Sequence, residues 1–445
     1  MATPCYTQLP FGFQPKLVVD FDGGEITSDA GLLLLREFDE VLGLTDAAVA
    51  GVVDTRDRRY VTHPVGTLLR QRVYQIVAGY EDVNDATTVR TDPTFQMVAG
   101  RGAPTALGSQ PTLSRWENDL PWSSIQRLTE LGVDWFCEHA FAPGASPREI
   151  ILEPDGTDDP THGAQQLALF VGGHYGQAMY QPLIWSEGHT RLPLRTRLRA
   201  GRSAPAAGAV EDLQRMLPRL RRRFPTTRVL VRADAGFATP RMEATLEAAD
   251  IGYVLALGPN AVFTRRIAGL RARAEARAAR TGQPVHVWTS FRHRATRWPR
   301  QRRILVHLEV TQRGTTVRYL VTNRTGRAAD LFAWYAQRGD AENRIKEWNN
   351  DLHADRLSCH RYRANAARLQ LHTLAFLLLA YFRHWLLALT PLARATVGTI
   401  RTTLLKIGGR VVRTARRIWV HLASGWPHRM IFVTVHAALA RGPTT

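Results

Sequence analysis

The sequence predicts an α/β protein: a mixed sheet covered by helices and carrying a β-rich insertion, with a mainly helical N-terminal region and a basic helical C-terminal region. Three observations carry this expectation. Beyond residue 148, apolar runs of strand length (EIILE, RVLVR) alternate with stretches of helical periodicity, as in a sheet with covering helices. Before residue 145 the apolar positions recur mostly at helical spacing. After Asp355 no carboxylate remains, yet 14 basic residues follow.

In order along the chain, residues 17–27 (LVVDFDGGEIT) read as a short strand and a glycine turn. Ser28 and Asp29 are then placed to cap a helix through AGLLLLREFDEVLGL. Residues 63–80 read as an amphipathic helix ending at Gly79, and 113–139 as another. These make up a first region, 1–145, closed by the small residues of APGASP. In 146–258, strands are expected at 149–153, 167–172, 179–186, 228–232 and 253–257, with helices at 210–223 and 240–249. The stretch 259–330 departs from that rhythm. A basic helix (265–280) precedes strands at 285–291, 303–310 and 317–322, which form the β-rich insertion. Residues 331–390 return to helix, through 331–352 and the apolar run 369–389; 391–445 form the basic C-terminal region. The apolar run has the length of a bilayer span, but Gln370, His372, Arg383 and His384 interrupt it, so a buried core helix is expected and no membrane.

With 445 residues, of which 44% are apolar, the chain has material for two or three domains and is not disordered. Its 58 basic residues exceed the 39 acidic ones, a net charge of +19, and only Lys16, Lys346 and Lys406 are lysines. A GC-rich genome accounts for arginine over lysine, but not for a C-terminal segment without acids. That segment fits a polyanion, most simply nucleic acid. Cys5, Cys137 and Cys359 are too scattered for a zinc site or disulfide framework, and the N-terminus lacks a signal-peptide pattern. Both features lead us to expect a cytoplasmic protein.

Asp155 follows a buried-strand pattern, with Asp158 and Asp159 crowded behind it. Such a cluster favours a hard divalent cation, although Pro154-Asp155-Gly156 is also a good turn sequence. Asp234 ends the strand-like RVLVRAD and could equally cap the following helix. In WYAQRGDAENRIKEWNNDL, Tyr335, Arg338 and Glu342 fall at i, i+3 and i+7, one face of a helix, which is also the pattern of a salt-bridged surface. Together, two strand-end carboxylates and one on a later helix are what two-metal phosphoryl transfer requires, with the ions about 3.5–4 Å apart.

Those three segments, with VVDFDGGEITSDAGLLLLREFDE, YQIVAGYEDVNDA, QPTLSRWEN, VRYLVTNRTG, ENRIKEWNNDLHADRLSCHR and LLKIGGRVVRTARR in the same order, resemble the DDE transposases of bacterial insertion sequences. The closest resemblance is to the insertion sequence 1380 family, in the branch with a Y-x(2)-R-x(3)-E-x(6)-K signature. It covers nearly the whole chain and implies a ribonuclease-H-like catalytic core. It also implies two Mg²⁺ ions (Mn²⁺ substituting) held by Asp155, Asp234 and Glu342, and cut-and-paste action on terminal inverted repeats and target DNA. A homodimer or larger oligomer on double-stranded DNA is expected, because two ends must be joined. Tyr335 and Arg338 would position the Glu helix and contact DNA. Where the signature has Lys this chain has Asn349; Lys346, one turn after Glu342, is the nearest substitute. In related transposases an aromatic of the insertion stacks on a flipped base, for which Trp288 and Trp298, set among arginines, are both candidates. Arg413, Arg416 and Arg417 in the basic tail are further DNA contacts, and Arg70, Arg72 and Arg115 are candidates in the N-terminal region. The alternatives are a metal-dependent nuclease on the same core, or an inactive, transposase-derived repressor that binds DNA without cutting it.

Overall fold

The computed structural model describes residues 8–100, 105–172 and 176–440. Cys5 and part of the GGHYGQ connection lie outside them. The chain divides into two compact units: residues 1–50, 54–117 and 382–444, and residues 51–53 with 118–381.

The larger unit is built on one eight-stranded sheet. Its strands are β1 (Glu149–Gly156), β2 (Leu183–Glu187), β3 (Pro193–Arg197), β4 (Arg228–Ala233), β5 (Gly252–Leu257), β6 (Val285–His293), β7 (Arg302–Thr311) and β8 (Gly314–Thr322), in the spatial order β6-β7-β8-β5-β4-β1-β2-β3. Only β4 runs parallel to its neighbours β1 and β5; every other pairing is antiparallel. The strands of the expected β-rich insertion therefore continue the same sheet, β8 pairing with β5 from Val254 opposite Thr322 to Leu257 opposite Tyr319. Helices α1 (Ala209–Arg223), α2 (Pro240–Ala248) and α3 (Ala268–Thr281) link its strands, followed by α4 (Ala328–Ala336), α5 (Gly339–Leu352) and α6 (Tyr362–Leu386).

β1 is buried from Ile150 to Asp155: Ile150, Ile151 and Leu152 suit a strand covered on both faces, and Glu153 is paired with buried Arg232. Its parallel pairing with β4 ends at Leu152 opposite Val231. Pro154 lies just beyond, where a residue without an N–H costs no ladder bond on that side. The pairing thus stops before Asp155, at the carboxyl ends of adjacent parallel strands.

Several expectations are corrected. Residues 179–186 are two strands: Gln177–Tyr180 joins a small sheet with Leu169–Val171 and Asp159–Pro160, and only β2 enters the large one. β3 went unpredicted, because PLRTR carries two arginines; buried Asp212 accepts from Arg195 Nε at 2.6 Å and also pairs with Arg197, and Glu130 pairs with Arg195 at 2.8 Å. Residues 113–139 break at Pro121 into helices Gln110–Asp119 and Trp122–His139. A Cβ on Gly132 would sit 2.4 Å from the Leu194 carbonyl oxygen, so the second helix packs its backbone against β3. Residues 331–352 break at Gln337–Arg338 into α4 and α5. The apolar run lies in α6 as far as Leu386, and the middle of that helix is buried; among the described residues no helix is long and apolar enough to cross a membrane.

The smaller unit holds the helices Leu32–Leu42, Val65–Ala78, Pro93–Val98 and Arg429–Ala440. Its C-terminal part is not wholly helical: Gly409–Arg413 and Ile418–Leu422 form a hairpin that pairs with Glu25–Thr27. Asp29 does not cap the first helix, whose N-cap is Gly31. It pairs instead with Lys406 at 2.6 Å and accepts a hydrogen bond from the Tyr80 hydroxyl at 3.0 Å. Arg72 is buried, with Nε 2.6 Å from Glu117, and so is withdrawn as a DNA reader. Arg70 pairs with Asp46, while Arg115 is exposed.

Candidate active site

Asp155 is the penultimate residue of β1, and Asp234 follows directly on β4. Each is held by its own backbone: Asp155 Oδ1 accepts from Gly156 N at 2.9 Å, and Asp234 Oδ1 from Gly236 N at 2.8 Å. Asp155 therefore ends a strand and is not at a free turn. Asp234 caps the short turn Ala235–Phe237, while Thr239 caps α2. This leaves the two Oδ2 atoms to face the same cation. Arg338 Nη2 lies 2.8 Å from Asp155 Oδ2 and 3.9 Å from Asp234 Oδ2, and its Nη1 is 2.9 Å from Glu342 Oε1.

Thus Asp155, Asp234 and Glu342 converge, but on a guanidinium. The helix break places Tyr335 at the end of α4, Arg338 at the N-cap of α5 and Glu342 in its first turn. The three are not on one continuous helix face. Asp155 is only 8% exposed, and burial pushes its carboxyl up to about 6 despite Arg338, with Asp234 adding to the rise. Burial also raises the Tyr335 phenol, against the pull of Arg338. Among the described residues no three His, Cys, Asp or Glu side chains stand in metal-holding geometry. The chemistry of the donor set, three carboxylates about one cationic centre, nonetheless fits a hard divalent ion.

The expected Asp155–Asp158–Asp159 cluster does not form that centre. Asp159 turns inward, 1% exposed, with neither carboxylate oxygen hydrogen-bonded. Burial, and then Asp355, raise its carboxyl to about 9. Asn349 donates to Thr157 Oγ1 at 2.8 Å, tying α5 to the segment after β1; Lys346 is exposed. The two tryptophans separate. Trp298 is 8% exposed, with the Arg302 guanidinium 4.8 Å from its ring centre. Trp288 is 43% exposed and stacks on His307 (4.9 Å, 3°) and His286 (5.7 Å, 16°). Arg413 pairs with Glu25, and Arg416 and Arg417 occupy the turn of the hairpin in the smaller unit.

Sequence reasoning missed the pair behind the site. Arg232 of β4 is buried, ion-paired with Glu153 of β1, and its Nη1 donates to the Trp334 carbonyl at 2.6 Å. It anchors the end of α4 beside Tyr335. Asp340, on α5, is held to Arg191 at 2.7 Å. The only sequence signal for Arg232 is a charged residue inside an apolar strand.

The profile of the family described as Transposase DDE domain group 1 matches residues 9–444. The chain belongs to this family. Among solved structures, the DDE transposase is similar to the piggyBac transposase in a synaptic complex with hairpin DNA, at 10% identity and a TM-score of 0.44, covering 94% of this chain and 83% of that one. It is also similar to the Mos1 transposase in a paired-end complex with a left transposon end, at 12% identity and a TM-score of 0.18, over 45% of this chain and 62% of that one. No curated protein matches the transposase by sequence.

Proposed function

We propose that this transposase moves a bacterial insertion sequence, of the 1380 type, by cut-and-paste: it hydrolyses phosphodiesters at the terminal inverted repeats and joins the freed 3′ ends to target DNA. The observation that carries the reading is the convergence of Asp155, Asp234 and Glu342, from two strand ends and a helix, on one cationic centre. The order β3-β2-β1-β4-β5, with β4 parallel to both neighbours, supports a ribonuclease-H-like core.

Asp155, Asp234 and Glu342 would hold two Mg²⁺ ions, or Mn²⁺ in their place. Bound there, the ions would supply charge to activate the attacking oxygen and to stabilise the departing 3′ oxygen. The chain's own part is positioning. Backbone N–H groups fix both aspartates, and burial of Asp155 keeps bulk water from screening its charge. Arg338 presents two N–H-bearing nitrogens that can bridge phosphate oxygens. Tyr335 packs against the core cluster of Val254, Leu320 and Phe332 and its carbonyl accepts from Arg338 N at 3.0 Å, and exposed Lys346 lies one helical turn beyond Glu342. Trp288, exposed and already stacked, suits a flipped base better than buried Trp298. Exposed Arg416 and Arg417 supply sequence-independent affinity for duplex DNA. We further propose a homodimer or larger assembly acting in the cytoplasm.

The test is incubation with the element's flanking DNA and Mg²⁺ or Mn²⁺, mapping strand breaks and hairpin ends. Breaks at the repeat termini support the reading. Unspecific cutting would make the protein a nuclease, and binding without cutting a repressor.

A further inference from the structure

The acid triad presents its free oxygens to a side chain of its own helix junction. Asp155 and Asp234 spend Oδ1 on backbone N–H groups and turn Oδ2 toward Arg338, so these two carboxylates do not depend on the arginine for their orientation. Among the described residues no other Lys, Arg or His pairs with any of the three acids. Three carboxylates and one guanidinium leave the cluster at −2. It is under-neutralised, and its Asp155–Arg338 end is buried while the Asp234 and Glu342 side chains are 44% and 52% exposed.

Arg338 is also well placed to leave. It stands between α4 and α5, caps the latter with its backbone but not its side chain, and is followed by Gly339, around which a Cβ would meet nothing within 4 Å. Its side chain is 12% exposed, but two of the acids it holds, Asp234 and Glu342, are open to solvent. With divalent ions among the acids, a guanidinium at the same point would face like charge. A phosphate then becomes its better partner, bound through the same two nitrogens.

We infer that Arg338 is an exchangeable counter-ion of the acid triad: divalent cations and its guanidinium compete for one place, and the displaced guanidinium passes to a DNA phosphate. Cation loading and DNA binding consequently favour each other, and by linkage each raises the other's affinity by the same factor. The inference rests on the metal reading above.

The test measures Mn²⁺ binding to the full-length protein without DNA, from the free-ion paramagnetic resonance signal. Arg338→Gln is expected to bind Mn²⁺ roughly tenfold tighter than wild type, and Arg338→Lys, which keeps the charge, to stay near wild type. Adding Glu342→Gln to Arg338→Gln must abolish the gain, which locates it at the triad. A short duplex is then expected to tighten Mn²⁺ binding to wild type by about the same factor, and to change Arg338→Gln little. Mn²⁺ bound equally or more weakly by Arg338→Gln overturns the inference while leaving the metal site standing. So does the absence of duplex coupling in folded wild type, a result that needs no variant. Mn²⁺ bound by neither protein, with or without duplex, overturns both the inference and the metal reading.

Discussion

Arg232→Ala removes the cation of a pair that is shut off from solvent. Glu153 is 3% exposed, and Arg232 also bonds the Trp334 carbonyl and lies 5.0 Å from the Trp334 ring centre. Breaking a buried pair from one side costs about 3–5 kcal/mol, because the surviving charge loses its partner without regaining water. Protonation limits that cost. Burial already raises the Glu153 carboxyl against the pull of Arg232, with Glu187 raising and Arg338 lowering it more weakly. Without Arg232 it rises further. A carboxyl raised on folding loses stability as pH climbs from its unfolded value toward its folded one. The deficit is therefore expected near 4 kcal/mol at pH 8 and clearly smaller at pH 5 (roughly 1.4 kcal/mol per pH unit titrated). Urea denaturation at both pH values measures it. The double change Arg232→Met, Glu153→Leu should recover most of the loss, since an apolar pair of similar volume avoids desolvation. A single-variant deficit under about 1 kcal/mol at pH 8, or one equal at both pH values, refutes the reasoning.

Three further outcomes follow from packing and burial. With the Asp159 carboxyl raised to about 9, wild type loses stability as pH rises from about 4 toward that value. Asp159→Asn does not titrate, so its melting temperature relative to wild type should climb between pH 5 and 8; a flat difference would show that Asp159 is ionised. Trp298→Ala should cost about 3 kcal/mol, and Trp288→Ala less than about 1 kcal/mol while weakening DNA binding; equal stability losses would contradict the burial difference. Gly132→Ala forces a Cβ onto the Leu194 carbonyl and should destabilise by about 1–3 kcal/mol, read from thermal melts.

What could be read from the sequence divides on physical lines. β1, β4 and β5 announce themselves because central strands buried on both faces need unbroken apolar runs. β3 stayed hidden because its arginines find their partners, Asp212 for both and Glu130 for Arg195, on helices outside the strand. The C-terminal hairpin was masked in the same way. Val411-Val412 and Ile418–Val420 are strand-like, but the arginines between them read as an exposed helical surface. Spacing put Tyr335, Arg338 and Glu342 on one helix face, because periodicity could not register the break at Gln337–Arg338. The two tryptophans are alike in their arginine-rich sequence context and differ in burial and in ring partners. The three acids were legible from strand-end context and helical spacing. That one guanidinium would join them was not, since it depends on where α5 begins relative to two strand ends.

The most direct test of the central claim compares wild type with Glu342→Gln on a duplex carrying the element's terminal repeat, with Mg²⁺, scoring both binding and strand breaks. The account predicts breaks at the 3′ ends of the element with wild type, and none with Glu342→Gln although it still binds. Cleavage that survives Glu342→Gln, or that proceeds in a divalent-ion chelator, would contradict it.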